Sequence, residues 1–145
     1  MLLWMLCLGF AGAGCDNAPA TGPVDPTWDR DVCERCQMAL SDRRFAAEIR
    51  MADDGRPRFF DDFGCASLWL DEQEALGRSA SEFWVRSRDG ERWLDAGRAY
   101  FVPVERTPMG YGLAAQAESS AGALRLEAAR KRVRENEHER RRAPR

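Results

Sequence analysis

Arg44-Phe45-Ala46-Ala47-Glu48-Ile49-Arg50-Met51, then Asp53-Asp54-Gly55, then Arg58-Phe59-Phe60 and Asp61-Asp62-Phe63 is the stretch that decides the fold. The first segment partly alternates apolar and polar residues, as a strand does. Asp-Gly is a turn signal, and the apolar run restarts just beyond it. Two strands joined as a hairpin are therefore expected. Asp61 or Asp62 can cap the helix that follows, because a short carboxylate accepts from free N–H groups at a helix start. Phe63, Ala66 and Leu70, with Cys65, Leu68, Trp69 and Leu76 alongside, cover one broad face of that helix. Gly77 is placed to end it. Glu82-Phe83-Trp84-Val85-Arg86-Ser87 reads as a third strand stopped by Asp89-Gly90.

A similar order follows. Trp93-Leu94-Asp95-Ala96 is a short strand or turn. Ala99 to Val104 is a strand, with Pro103 at an edge or a strand end. Thr107-Pro108-Met109-Gly110-Tyr111-Gly112 is a Gly-rich connection, and Leu113 to Ala117 is another strand. Ser119 is placed to cap a helix running through Leu124, Leu126, Ala129 and Val133. Strand–strand–helix thus occurs twice, the first time with a closing strand. The expected class is α+β: two small ββαβ-like units, antiparallel sheet with packed helices. The first spans 31–90 and the second, with an incomplete element set, 91–137.

Upstream of this body lie two segments of different character. Residues 1–14 are apolar and uncharged. They are too few for a stable bilayer-spanning helix, which takes about 20 apolar residues. They read as a signal peptide. Gly12-Ala13-Gly14-Cys15 resembles a lipobox, making Cys15 the candidate lipidation site. Residues 15–30 are polar, with three prolines and a glycine, and read as a flexible tether. The expected location is the cell envelope: periplasm-facing, anchored to a membrane by lipid, in an oxidising compartment. Charge is uneven. Residues 130–145 carry eight basic and three acidic side chains, leaving residues 16–129 at a net −7. Such an acidic, exported body excludes nucleic acid as a partner. The basic tail, 138–145, reads as a solvated helix end that could also touch anionic lipid or an acidic partner.

The chemistry concentrates in Cys33-Glu34-Arg35-Cys36-Gln37-Met38, a C-x-x-C-x-M motif. Two thiols and a thioether are soft donors, which favour a soft ion such as Cu(I) over Ca, Mg or Mn. Haem attachment needs His after the second Cys, and Gln37 stands there. A structural zinc site needs four ligands, and beside the pair the body offers only Cys65 and His138. A thioredoxin-like redox pair opens a helix after a strand, which Arg30-Asp31-Val32 is not. A plain disulfide staple or a core role for Met38 are the other readings. Met109 sits in Pro108-Met109-Gly110, on a loop whose glycines allow close backbone approach; there a ligand role and core packing stand equal. Cys65, one turn into an aromatic helix, reads as core. The one histidine is His138, and no Ser/His/Asp or Cys/His set for nucleophilic catalysis exists, so a non-enzyme is expected.

The ordered set of motifs resembles the NosL family, the nitrous oxide reductase accessory lipoproteins. The set is C-x-x-C-x-M, Phe59-Phe60-Asp61, Trp93-Leu94-Asp95-Ala96, Ala99-Tyr100-Phe101-Val102 and Pro108-Met109-Gly110. The resemblance implies an organomercurial-lyase-like fold. It implies a periplasmic Cu(I) carrier serving apo nitrous oxide reductase or its copper-loading membrane partners. It implies metal ligation by Cys33, Cys36, Met38 and Met109. Some members place His directly after Pro-Met-Gly; here that residue is Tyr111. Two readings remain beside it: an exported thiol–disulfide oxidoreductase using Cys33 and Cys36, and a non-catalytic tethered interaction module.

Overall fold

The computed structural model describes residues 19–143. The expected signal peptide and the lipidation candidate Cys15 lie outside the described residues. The elements are β1 (Ala47–Met51), β2 (Pro57–Phe60), α1 (Phe63–Ala75), β3 (Ala80–Arg86), β4 (Trp93–Asp95), β5 (Tyr100–Pro103), β6 (Leu113–Gln116) and α2 (Leu126–Arg142). One antiparallel sheet has the order β2-β1-β3-β4, and β5 pairs with β6 in a second. The class is α+β, as the hairpin–helix pattern predicts. Among the described residues, no helix is long and apolar enough to cross a membrane.

The hairpin register sets Ala47 opposite Phe60 and Arg50 opposite Pro57. β1 is central, flanked by β2 and β3, and all five of its residues are buried. Ala47, Ile49 and Met51 join the apolar core. Glu48 and Arg50 alternate with them and are also buried, joined Nε to Oε1 at 3.0 Å.

What covers that second face corrects the expectation of a flexible tether. Residues 19–25 pack on it. Glu48 Oε2 accepts from Val24 N at 2.8 Å, and Glu82 Oε2 accepts from Gly22 N at 2.9 Å. Arg50 donates to the Pro19 carbonyl, and Asp25 takes hydrogen bonds from both Arg86 and the Trp93 indole. Buried carboxylates demand donors, and this Pro-rich segment supplies them from its backbone.

α1 begins with Asp62 as its cap, in extended conformation, its Oδ1 accepting from Gly64 N at 2.8 Å. Residues Phe63 to Leu70 are all buried, because the helix lies between the large sheet, the β5–β6 pair and α2. Phe63 joins the two sheets: its ring lies 4.2 Å from that of Phe101 on β5 and 6.0 Å from that of Phe83 on β3. The helix ends before Gly77, as read from the sequence, but Leu76 points outward rather than onto the apolar face.

Two boundaries differ from expectation. Division at residue 90 sets Trp93–Asp95 in the second unit, but β4 pairs with β3, Val85 opposite Leu94, and edges the first sheet. The second unit is therefore β5, β6 and α2. α2 also starts at Leu126, not after Ser119. Leu124 exchanges two backbone hydrogen bonds with Phe101, each 2.8 Å, which holds that segment extended beside β5. α2 then docks on α1 through Ala129 and Val133. The buried Arg130 also binds Asp71 at 2.5 Å and Glu74 at 2.7 Å.

Candidate metal centre

The C-x-x-C segment folds as a tight loop. Cys33 N donates to the Met38 carbonyl at 2.8 Å, and Gln37 N donates back to the Cys33 carbonyl at 3.0 Å. Gln37 takes φ 63°, the left-handed conformation that closes the turn. Its side-chain amide donates to the Cys33 and Glu34 carbonyls at 3.1 Å each, which offsets the strain of that backbone. Glu34 N donates to the Phe59 carbonyl on β2 at 2.9 Å and fixes the loop over the β2–α1 junction.

Asp61 and the first turn of α1 lie beneath that loop. Cys33, Cys36, Asp61 and Cys65 form one cluster, with their three Sγ atoms and a carboxylate oxygen all within 4.8 Å of one another. Cys33 and Cys65 are wholly buried, Asp61 nearly so, and Cys36 is half-buried. The Cys36 thiol donates to Asp61 Oδ1 at 3.4 Å. All three cysteines are free thiols. The sequence reading brought Cys33 and Cys36 to one place but missed Cys65 and Asp61. The sequence reads Cys65 as core, which its burial bears out, and Asp61 or Asp62 as the helix cap. Asp62 takes the cap, so its neighbour is released to face the sulfurs. The signal was available: a Cys one turn into a helix sits above the residues that precede that helix.

The electrostatics favour one shared thiolate. The neighbouring Cys65 side chain, with backbone N–H groups of Arg35, Cys36 and Asp61, holds the Cys33 pKa down to about 4 despite burial. Cys65 is pushed far up by the neighbouring Cys33 and by burial. Burial, with the Cys33 charge beside it, raises Cys36 to about 12. Burial and the same charge raise Asp61 to about 6. A neutral-pH site of this kind offers one ready thiolate, two thiols and a carboxylate. A metal ion is the natural partner, since thiolates are its ligands and its charge relieves the crowding.

The methionines lie at the edge of this cluster. Met38 is 54% exposed. It lines a cavity of about 410 Å³ together with Asp61, Arg44, Phe45, Thr107 and Pro108. Met109 is partly buried against the apolar core. Asp62 holds its loop: Oδ2 accepts from Met109 N at 3.0 Å and from the Thr107 hydroxyl at 2.5 Å. Adjacent aspartates thus divide the work, one facing the sulfurs and one fixing the methionine loop. Tyr111 is buried on the same loop, its hydroxyl pushed up to about 12 by burial and by Glu137, so it stays a neutral phenol. His138 is on α2, along a separate groove with Arg134 and Arg141, and is not one of the clustered groups.

No protein-family model matches the chain, and no curated protein matches it. Among solved structures, the crystal structure of the copper chaperone NosL from Shewanella denitrificans is similar. It aligns with a TM-score of 0.56 and 14% identity over 81% of this chain and 89% of that one. At that identity the likeness establishes the fold.

Proposed function

We propose that the protein is a Cu(I) metallochaperone, lipid-anchored through Cys15 in the cell envelope and facing the periplasm. Its cargo would be delivered for maturation of nitrous oxide reductase, to the apo enzyme or to copper-loading membrane partners. The observation that carries the copper reading is the group Cys33, Cys36, Cys65 and Asp61, with Met38 on the adjoining cavity wall. Soft sulfur donors select Cu(I) by ligand type rather than by a rigid geometry. The fold of a known copper chaperone supports the same cargo. The anchor, the compartment and the enzyme served rest on the lipobox-like segment and on the family resemblance of the motifs.

The geometry suits a carrier. Cys33 is ionised before metal arrives, so the first sulfur needs no deprotonation. Cys36 is the half-buried thiol of the three, and Met38 is the exposed sulfur beside it. An acceptor entering the 410 Å³ cavity meets Met38 and Asp61 on its wall. Cargo can then pass by stepwise exchange of one sulfur for another, without leaving the ion bare.

The oxidoreductase reading has one observation in its favour, the low-pKa Cys33 thiol. Against it, Cys33 is fully buried, and attack on an external disulfide needs access. Anaerobic titration separates the readings: Cu(I) against a competing chelator, then Zn(II), then an insulin-reduction assay. The chaperone reading expects tight Cu(I) binding, transfer to apo nitrous oxide reductase and no turnover. Zn(II) preferred over Cu(I), or catalytic thiol exchange, would overturn it.

A further inference from the structure

The basic end of α2 is not simply a solvated helix end. Arg140 Nη2 donates to the Met109 carbonyl at 2.8 Å and to the Gly110 carbonyl at 2.5 Å. Its guanidinium also lies 4.4 Å from the centre of the Tyr111 ring, a cation–π distance. A Cβ on Gly110 would stand 3.0 Å from that same nitrogen, so the glycine makes room for the arginine. One turn earlier, Glu137 accepts from the Tyr111 hydroxyl at 3.1 Å.

Tyr111 then reaches the metal centre from two directions. Its ring packs on the backbone of Gly64, the residue before Cys65, so tightly that a Cβ there would stand 2.1 Å from ring atoms. Its hydroxyl accepts, at the long distance of 3.5 Å, from Arg35, which lies between Cys33 and Cys36. One phenol therefore touches the cysteine loop, the start of α1, and α2. It stands two residues from Met109, where a histidine would offer a ligand nitrogen and a neutral phenol offers none.

We infer that Tyr111, Glu137 and Arg140 are positioning residues. They clamp the cysteine loop and the Met109 loop onto the start of α1, so that the C-terminal helix sets how firmly the metal centre is closed. For the metal this rests on the copper reading above; for the thiols it does not. Loss of the clamp removes no sulfur from the chain but lets the Cys33–Cys36 loop lift and the Met109 loop swing.

The test uses the full chain and two variants. Tyr111→Phe keeps the ring on Gly64 and removes the hydroxyl; Arg140→Ala removes the two carbonyl contacts at an exposed helix position. Three quantities are read: maleimide labelling of Cys36 in metal-free protein, located by peptide mass spectrometry; the rate at which a chelator strips Cu(I); and the thermal midpoint. Labelling and stripping should each quicken about threefold to tenfold, the effect of losing one or two hydrogen bonds, with the midpoint almost unchanged. Arg140→Lys should recover part of the effect. Unchanged labelling and stripping in both variants overturns the clamp. If the parent itself binds no Cu(I), the copper reading falls, and the labelling rates still decide the clamp. A large fall in midpoint that alone accounts for the faster rates would make the contacts ordinary structural ones and would equally overturn it.

Discussion

The Cys65 sulfur, carried on the first turn of α1, lies within 4.8 Å of the Cys33 sulfur, carried on the loop that opens the domain. Neither side chain is exposed. Cys65 packs in the core, as the sequence predicts, and belongs to the candidate metal cluster as well. Cys65→Ser should therefore lower Cu(I) affinity by tenfold or more, about 1.4 kcal/mol per factor of ten. A serine hydroxyl can donate to Cys33, so the loss reports the missing sulfur rather than a disturbed loop. Competition titration of the variant against the parent checks it; equal affinities would leave Cys65 a core residue only.

Proton release follows from the same set. Cys33 lies at about 4 and is already ionised at neutral pH. Cys36, at about 12, and Cys65, shifted further in the same direction, still hold their protons. An ion taking all three sulfurs must expel two protons, and affinity should rise with pH by about a hundredfold per unit, since each released proton gives a factor of ten. The window is pH 7–9, above the Asp61 value of about 6 and below that of Cys36. In Cys65→Ser the release should fall to one. Calorimetric titration in buffers of different ionisation enthalpy counts the protons directly.

Gly64 is the tightest point of the packing around the site. A methyl group there would stand 2.1 Å from the Tyr111 ring. Gly64→Ala should destabilise the metal-free protein by about 1–3 kcal/mol, the ordinary cost of forcing extra volume into a packed core. It should also change the near-ultraviolet signal of the displaced tyrosine. Thermal denaturation and circular dichroism report the two effects together.

The segment at residues 19–25 is held by carboxylates of the sheet. Glu48→Ala would leave the buried Arg50 with only the more distant Glu82 carboxylate, at 3.9 Å, at a cost of about 1–3 kcal/mol. The Val24 amide, which donates to Glu48, should then exchange much faster with solvent. Hydrogen-exchange mass spectrometry of the N-terminal peptide tests this. Unchanged exchange would mean that the segment is held by something other than Glu48.

Much of this architecture was legible in local signals. The Asp-Gly turn, the alternation from Ala47 to Met51 and the Asp cap each act within a few residues, and β1, β2, α1 and β3 follow from them. What failed depends on distant partners. The Pro-rich residues 19–25 carry no periodicity; distant partners such as the buried Glu48 and the half-buried Glu82 make them part of the fold. Trp93–Asp95 is too short to declare its sheet and is claimed by β3. Ser119 is a good cap by type, but the backbone pairing of Leu124 with Phe101 outcompetes a helix there. At the site, C-x-x-C-x-M pointed to soft-metal chemistry. The third thiol was obscured because burial is also what an inert cysteine shows.

The central claim is that the clustered thiols hold Cu(I). Anaerobic Cu(I) titration of the parent and of the Cys33→Ser, Cys36→Ser double variant tests it most directly. One Cu(I) per chain is expected for the parent, with sulfur as the dominant ligand by X-ray absorption, and tight binding is expected to vanish in the double variant. A double variant that binds Cu(I) as tightly as the parent would contradict the account.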